Sequence, residues 1–354
     1  MHNVELGTHL SRTGSCLVIL IALTCSFAVQ AEKKLFESEA PLALTITAPF
    51  SKIHRERDKS KIYPNTIVSY QNESGLIIDV NIGLKVRGNF RLKKLNCTNP
   101  PLKLVIDKSA RKTIFSKQGE LKLVVPCKRN AKYQQYILLE YLSYKLYNIL
   151  SQDSYKVRLA EITFVDSGKK NKAQNYTGFF IEPHKRLAKR LAKSKIDVLK
   201  VNTDQLNSKS LAIQNLFQYM IGNTDFSTLI GPVGRNCCHN NRLFKGEQDS
   251  LLTAIPYDFD STGLVDAPYA RPSAAVKIPS VRSRRYRGFC EQNRDIRNAI
   301  PLFNQQRSEI ENLFKETQGL SDLTRKRSLK YLDKFYKTIN TTALFEKHII
   351  ERCR

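Results

Sequence analysis

Acidic residues are scarce in this chain: 32 Asp and Glu stand against 58 Lys and Arg in 354 residues, a formal net charge of +26 at pH 7. Such an imbalance implies attraction to polyanions, whether anionic lipid headgroups, acidic polysaccharide or a phosphorylated polymer. Plain solvation of the surface by scattered charges is the alternative reading. Also missing is an apolar run of the roughly 20 residues that a membrane-spanning helix needs. The run from Cys16 to Ala28 is too short, and nothing later compares with it. There is no Gly-x-Ser-x-Gly elbow, and the few histidines lack a recognisable Ser or Cys partner, which leaves a hydrolase little support. No Gly-x-Gly-x-x-Gly loop is present to cover phosphates. The adjacent pair Cys237-Cys238 lacks the spacer of about two to four residues found in zinc knuckles, and His239 does not replace it, so a thiolate metal site is not expected. Long internal repeats and low-complexity linkers are absent as well.

What is present begins with an exported chain's features. Arg12, the apolar run and then Val29-Gln30-Ala31 read as a secretory signal over residues 1–31, cleaved to leave a soluble, periplasmic or secreted protein with no transmembrane segment. An uncleaved anchor and lipidation at Cys25 are alternatives, although Thr24 fits the lipoprotein pattern poorly. The leader holds Glu5 and Arg12, one charge of each sign, so the mature chain keeps the net +26. Export sets nucleic acid aside as a partner. Six cysteines remain, Cys97, Cys127, Cys237, Cys238, Cys290 and Cys353, and an even count in an exported chain favours disulfides. Sequence leaves their pairing open, with Cys97 and Cys127 the local guess because both flank apparent strands.

From about Leu42 to Ile106 the alternation is strand-like, in Leu42–Ala48, in Leu76–Ile82 and again from Leu84 to Arg91. Leu102–Ile106 and Leu121–Val125 are short, β-branched runs beyond the Pro100-Pro101 break and Gly119. Apolar residues from Tyr136 to Ile149 recur at helical spacing, predicting the first long helix over 133–150. Strands are expected at Val157–Val165 and Tyr176–Ile181 around an exposed turn at 168–174. Beyond Pro183 the pattern turns helical: His184–Lys195, Asn207–Ile221, and segments following Leu302, Ser321 and Thr342. We therefore expect an α+β protein of two lobes joined near Glu182, a β-rich one over 32–182 with one long helix, and an α-rich one over 183–354.

Two segments gather oxygen donors beside Gly and Pro. One runs from Gly222-Asn-Thr-Asp225 to His239-Asn-Asn; the other is Pro256-Tyr-Asp258-Phe-Asp260. Asp225, Asn240, Asp258 and Asp260 are hard donors that suit magnesium or manganese with phosphate oxygens better than zinc. Singly, such residues cap helices and close turns; together they match what phosphoryl transfer needs, a carboxylate to orient a hydroxyl and an amide with a carboxylate to hold metal.

These residues resemble the CotH family, secreted or cell-surface proteins of the spore-coat protein H type with an atypical kinase fold. The resemblance rests on five motifs in order: Arg87-Gly88-Asn89, Gly178-Phe-Phe-Ile-Glu182, Gly222-Asn223-Thr224-Asp225, Asn240-Asn241-Arg242-Leu243-Phe244 and Pro256-Tyr257-Asp258-Phe259-Asp260. It implies a kinase-like fold, a catalytic base at Asp225 and metal ligands at Asn240, Asp258 and Asp260. It also implies ATP or another nucleotide with Mg or Mn as cofactor, and a protein or envelope component, acidic or phosphorylated, as acceptor. Nucleotide contacts would come from Lys103 or Lys122, from Glu140, Glu182 and Arg87. The arginine-rich stretch Val281–Cys290 lies outside the resemblance; it either grips an acidic substrate or faces water. The competing expectation is a catalytically silent relative that binds an acidic polymer through its basic surface.

Overall fold

The computed structural model describes residues 1–3, 7, 33–168 and 173–354. The leader expected over 1–31 thus lies outside the described residues apart from its first few positions. Residues 32–354 form one compact unit. Its elements run β1 (Leu42–Ala48), α1 (Phe50–Glu56), β2 (Tyr63–Gln71), β3 (Ile77–Val86), β4 (Leu102–Val105), β5 (Glu120–Val124), α2 (Ala131–Leu150), β6 (Val157–Asp166), β7 (Gln174–Ile181), α3 (His184–Arg190), β8 (Lys193–Ile196), α4 (Ser208–Ile221), β9 (Asn241–Gly246), β10 (Thr253–Pro256), α5 (Asn293–Gln305), α6 (Arg307–Glu316), α7 (Asp322–Asn340) and α8 (Thr342–His348). The architecture is mixed α+β, as the hydrophobic periodicities imply.

The first seven strands close into a barrel in the order β1-β2-β3-β4-β5-β7-β6. Period-two alternation drives this: Leu42, Leu44, Ile46 and Ala48 of β1 point inward, and meet Val68, Val80, Ile82, Leu104, Leu123 and Ile162 in one apolar core. Neighbouring strands are antiparallel except at the closure, where β1 runs parallel to β6 with Leu42 opposite Ala160. Closure leaves the barrel itself no open edge among the described residues.

Helix α2 starts at Asn130, whose side chain accepts the Tyr133 N–H at 3.2 Å. It is buried on almost every side, because it packs on the barrel through Val124 and Phe179 and on the helical half through Leu216, Phe217 and Phe335 in a second core. Strands β8, β9 and β10 form a small separate sheet. Disulfides join Cys97 to Cys127, Cys237 to Cys238 and Cys290 to Cys353.

Two sequence expectations are corrected. Leu84 to Arg91 is no new strand: β3 continues to Val86, and Arg87-Gly88-Asn89 lies in the loop beyond it. The helix expected over His184–Lys195 stops at Arg190. Ala192 turns left-handed at φ 51°, and Lys193–Ile196 pairs with β9 instead, so sheet pairing overrides a basic run that reads as helical. The helix expected after Leu302 is α6, and the helix before it, α5 with Pro301 inside, was not anticipated by the sequence pattern. Of the expected turn at 168–174, residues 169–172 lie outside the described residues.

Candidate active site

Strand ends and loops from both halves of the unit converge on a cavity of about 940 Å³. Helix α4 delivers its first functional side chain. Gly222 ends the helix at φ +67°, and a Cβ there would sit 2.1 Å from the Tyr331 hydroxyl, so only glycine fits the turn. Asn223 then accepts the Asp225 N–H at 2.8 Å and donates to Gln218 at 2.9 Å, which fixes the Asp225 side chain at the cavity wall.

Asp225 is held from two sides. Its Oδ1 lies 2.7 Å from Nε2 of His239, and this hydrogen bond, more than any other influence, raises the His239 pKa. Asn240 donates its amide N–H to the Asp225 carbonyl at 2.7 Å and to Oδ2 at 3.2 Å. That leaves the Asn240 amide oxygen for another partner. Asn240 and Asp258 both adopt left-handed backbone, φ 51° and 68°, a conformation costing roughly 1 kcal/mol for a residue with a Cβ. The β9–β10 hairpin sustains it: Pro256 stands opposite Asn241, and the Tyr257 N–H reaches the Asn240 carbonyl at 3.0 Å. Helix α2 adds a tether, since the Asp258 N–H donates to the Tyr144 hydroxyl at 2.8 Å.

Asp260 accepts from Tyr269 at 3.0 Å and from Ser261 at 3.2 Å, and faces the Arg91 guanidinium at 4.0 Å. Burial, then the nearby Asp258 charge, pushes its pKa up to about 6. Glu140 of α2 is 3% exposed. Burial, then Asp260 and Asp258, raises it well above the carboxylate range. Across the cavity, Arg87 donates to the Leu102 carbonyl at 3.1 Å and Arg91 to the Val125 carbonyl. Their loop is clamped by the Cys97–Cys127 disulfide and by Arg57, whose guanidinium takes the carbonyls of Leu92, Cys97 and Thr98.

No family model matches the chain, and no curated protein matches it. Among solved structures it is similar to the Helicobacter pylori proinflammatory kinase CtkA, with 12% identity and a TM-score of 0.39 over 74% of this chain and 95% of that one. That likeness is too distant to assign chemistry.

Of the residues singled out from sequence, Arg87, Glu140, Asp225, Asn240, Asp258 and Asp260 line the one cavity. Lys122 lies behind it, 4.7 Å from the ring centroid of Tyr257, a lining residue. Burial, then Arg87, lowers its pKa to about 8. Lys103 is elsewhere engaged, 2.7 Å from Glu120 on the strand face. Glu182 holds Arg190 through two contacts, 3.0 and 2.8 Å, away from the cavity lining. The arginine-rich stretch also turns inward: Arg284 ties the carbonyls of Tyr219, Met220 and Tyr331, and Arg287 that of Thr224. These two arginines brace α4 and the turn after it. His239, Arg91 and Tyr269 were not singled out for this site by sequence; of the three, only His239 carried a hint, by its adjacency to Asn240.

Among the described residues no three His, Cys, Asp or Glu side chains gather as a metal-binding group. Two carboxylates and a free amide oxygen fit magnesium or manganese only if phosphate oxygens and water complete the shell, which is how magnesium is commonly held. Burial first, and neighbouring carboxylates second, hold Asp260 and Glu140 above the usual carboxylate range, and a cation bound beside them would favour their ionised forms.

Proposed function

We propose that this cavity is the active site of an exported, kinase-like phosphotransferase of two lobes, β-rich over 32–182 and helical over 183–354. The observation that carries the reading is convergence. Asp225, Asn240, Asp258 and Asp260, carried by three segments of the chain, face one cavity together with Arg87 and Glu140. Asp225 would take the proton of an acceptor hydroxyl on a protein or envelope component as that oxygen attacks the terminal phosphorus of ATP or another nucleotide and the bridging P–O bond breaks. His239 and Asn240 fix the Asp225 carboxylate for that transfer. Asn240, Asp258 and Asp260 would hold Mg or Mn, whose charge offsets that of the phosphates. Arg87 and Arg91 supply fixed positive charge on the opposite wall, where a glycine-rich loop is lacking. Disulfides and the absence of a membrane-crossing helix among the described residues are consistent with export.

Incubation with terminally labelled ATP and Mg²⁺ or Mn²⁺ tests the reading. Transfer that survives in wild type and falls at least about 100-fold in Asp225→Asn, with circular dichroism unchanged, is the expected result. Absence of transfer from every nucleoside triphosphate tried would sink it.

One observation favours a silent relative that binds an acidic polymer: no ion pair joins Lys122 or Lys103 to Glu140 among the described residues, so the usual lysine–glutamate pair for phosphates is not formed. That reading expects polymer affinity to fall steeply with salt and to be indifferent to Asp225→Asn.

A further inference from the structure

A second pocket, of about 340 Å³, lies beside α3 and shares no lining residue with the cavity above. Six basic side chains line it against two carboxylates. Both carboxylates are already matched, Glu182 by Arg190 at 2.8 Å and Glu37 by Lys34 at 3.9 Å. Lys117, Lys156, Arg186 and Lys189 therefore face it with no ion pair among the described residues.

The wall also carries a neutral group with nothing to bind. Gln118 is 2% exposed, and neither its Nε2 nor its Oε1 has a hydrogen-bond partner. An amide left so costs roughly 1–3 kcal/mol, and the chain goes to some length to place it. Lys117 and Gly119, both at φ +61°, bend the backbone on either side, so that a lysine takes up left-handed backbone next to the buried amide. Strain of this kind persists where surrounding structure enforces it and points to a use.

We propose that this pocket binds a hydroxylated phosphate ester, a polyol or sugar phosphate free or as a lipid headgroup. The four uncommitted cations suit the phosphate oxygens. The Gln118 Nε2 donates to a further oxygen, and its Oε1 accepts from a ligand hydroxyl, a pairing that inorganic sulfate, having no hydroxyl, leaves half unmade. A pocket of this size takes a ligand of one sugar ring.

Isothermal titration of the full chain at 0.15 M salt with inositol trisphosphate, glycerol 3-phosphate and sulfate tests the site, alongside flotation with phosphatidylinositol phosphate or phosphatidylcholine vesicles. The ester is expected to bind at least about 10-fold more tightly than sulfate. Gln118→Leu, which removes both unsatisfied atoms at little change of volume, and Lys189→Ala, at an exposed position, are each expected to weaken it about 10-fold with the melting temperature of the free protein held or raised. Binding to free esters alone identifies a soluble ligand, and binding to the anionic vesicles a headgroup; both support the site. Equal affinity for sulfate and ester, or binding unchanged in both variants, overturns it, since general surface charge would then suffice.

Discussion

Asp225 illustrates how a single side chain is made ready by its neighbours. One oxygen is taken by His239 and the other by Asn240, so the carboxylate cannot swing away from the cavity. His239→Ala is expected to lower kcat about 10-fold with the nucleotide KM little changed, because orientation rather than binding is lost. Steady-state kinetics of the phosphotransfer check this. Lys122 offers a pH test. Its folded pKa, about 8, lies below the unfolded value, so between that pH and about 10.4 the unfolded chain holds a proton that the native chain has released. Stability is then expected to rise with pH across that window, and Lys122→Met to flatten the rise, as urea titrations at several pH values would reveal. Anionic phosphate bound near Lys122 would restore its proton. Nucleotide binding at pH 8.5 is accordingly expected to take up protons, read from calorimetry in buffers of different ionisation enthalpy.

At the scale of elements, the turn after α4 decides whether Asp225 reaches the cavity. Gly222→Ala meets both a left-handed backbone and the Tyr331 hydroxyl 2.1 Å from the new Cβ. A loss of about 2–4 kcal/mol is expected by chemical denaturation. Adding Tyr331→Phe should recover part of it, the share due to collision rather than to backbone strain. The loop carrying Arg87 and Arg91 runs on to Cys97, which a disulfide ties to Cys127, 30 residues further along the sequence. Replacing both cysteines with serine is expected to cost about 3–4 kcal/mol by the loop-entropy argument, and to weaken nucleotide binding more than the equivalent change at Cys290 and Cys353, since only the first pair abuts the site loop.

Over the whole molecule, a +26 charge sets the reach of its electrostatic field. Association with an acidic acceptor is expected to slow by an order of magnitude or more between about 0.05 and 0.3 M salt, while turnover of bound substrate changes little. Stopped-flow binding against ionic strength separates the two. Several of the arginines also hold the fold together. Arg284 and Arg287 bind backbone carbonyls around α4, Arg57 those of the clamped loop, and Arg190 the Glu182 carboxylate.

Composition and periodicity by themselves determined the local character of the chain. Alternation marked β1 and β3, because a barrel strand buries every second residue; short β-branched runs marked β4 and β5, and helical spacing marked α2 and α4, because each buries most of its length. Clustering of Asp, Asn and Gly marked the turns after α4 and β10. What only the tertiary structure decided were relations between distant segments: that β1 pairs with β6, that Lys193–Ile196 becomes strand, how the cysteines other than Cys97 and Cys127 join, and that His239 and Arg91 belong at the cavity while Glu182 and Lys103 have partners elsewhere. Such choices depend on which backbone and charged groups come within a few ångströms once the cores have packed, and neither hydrophobic period nor residue type encodes that distance.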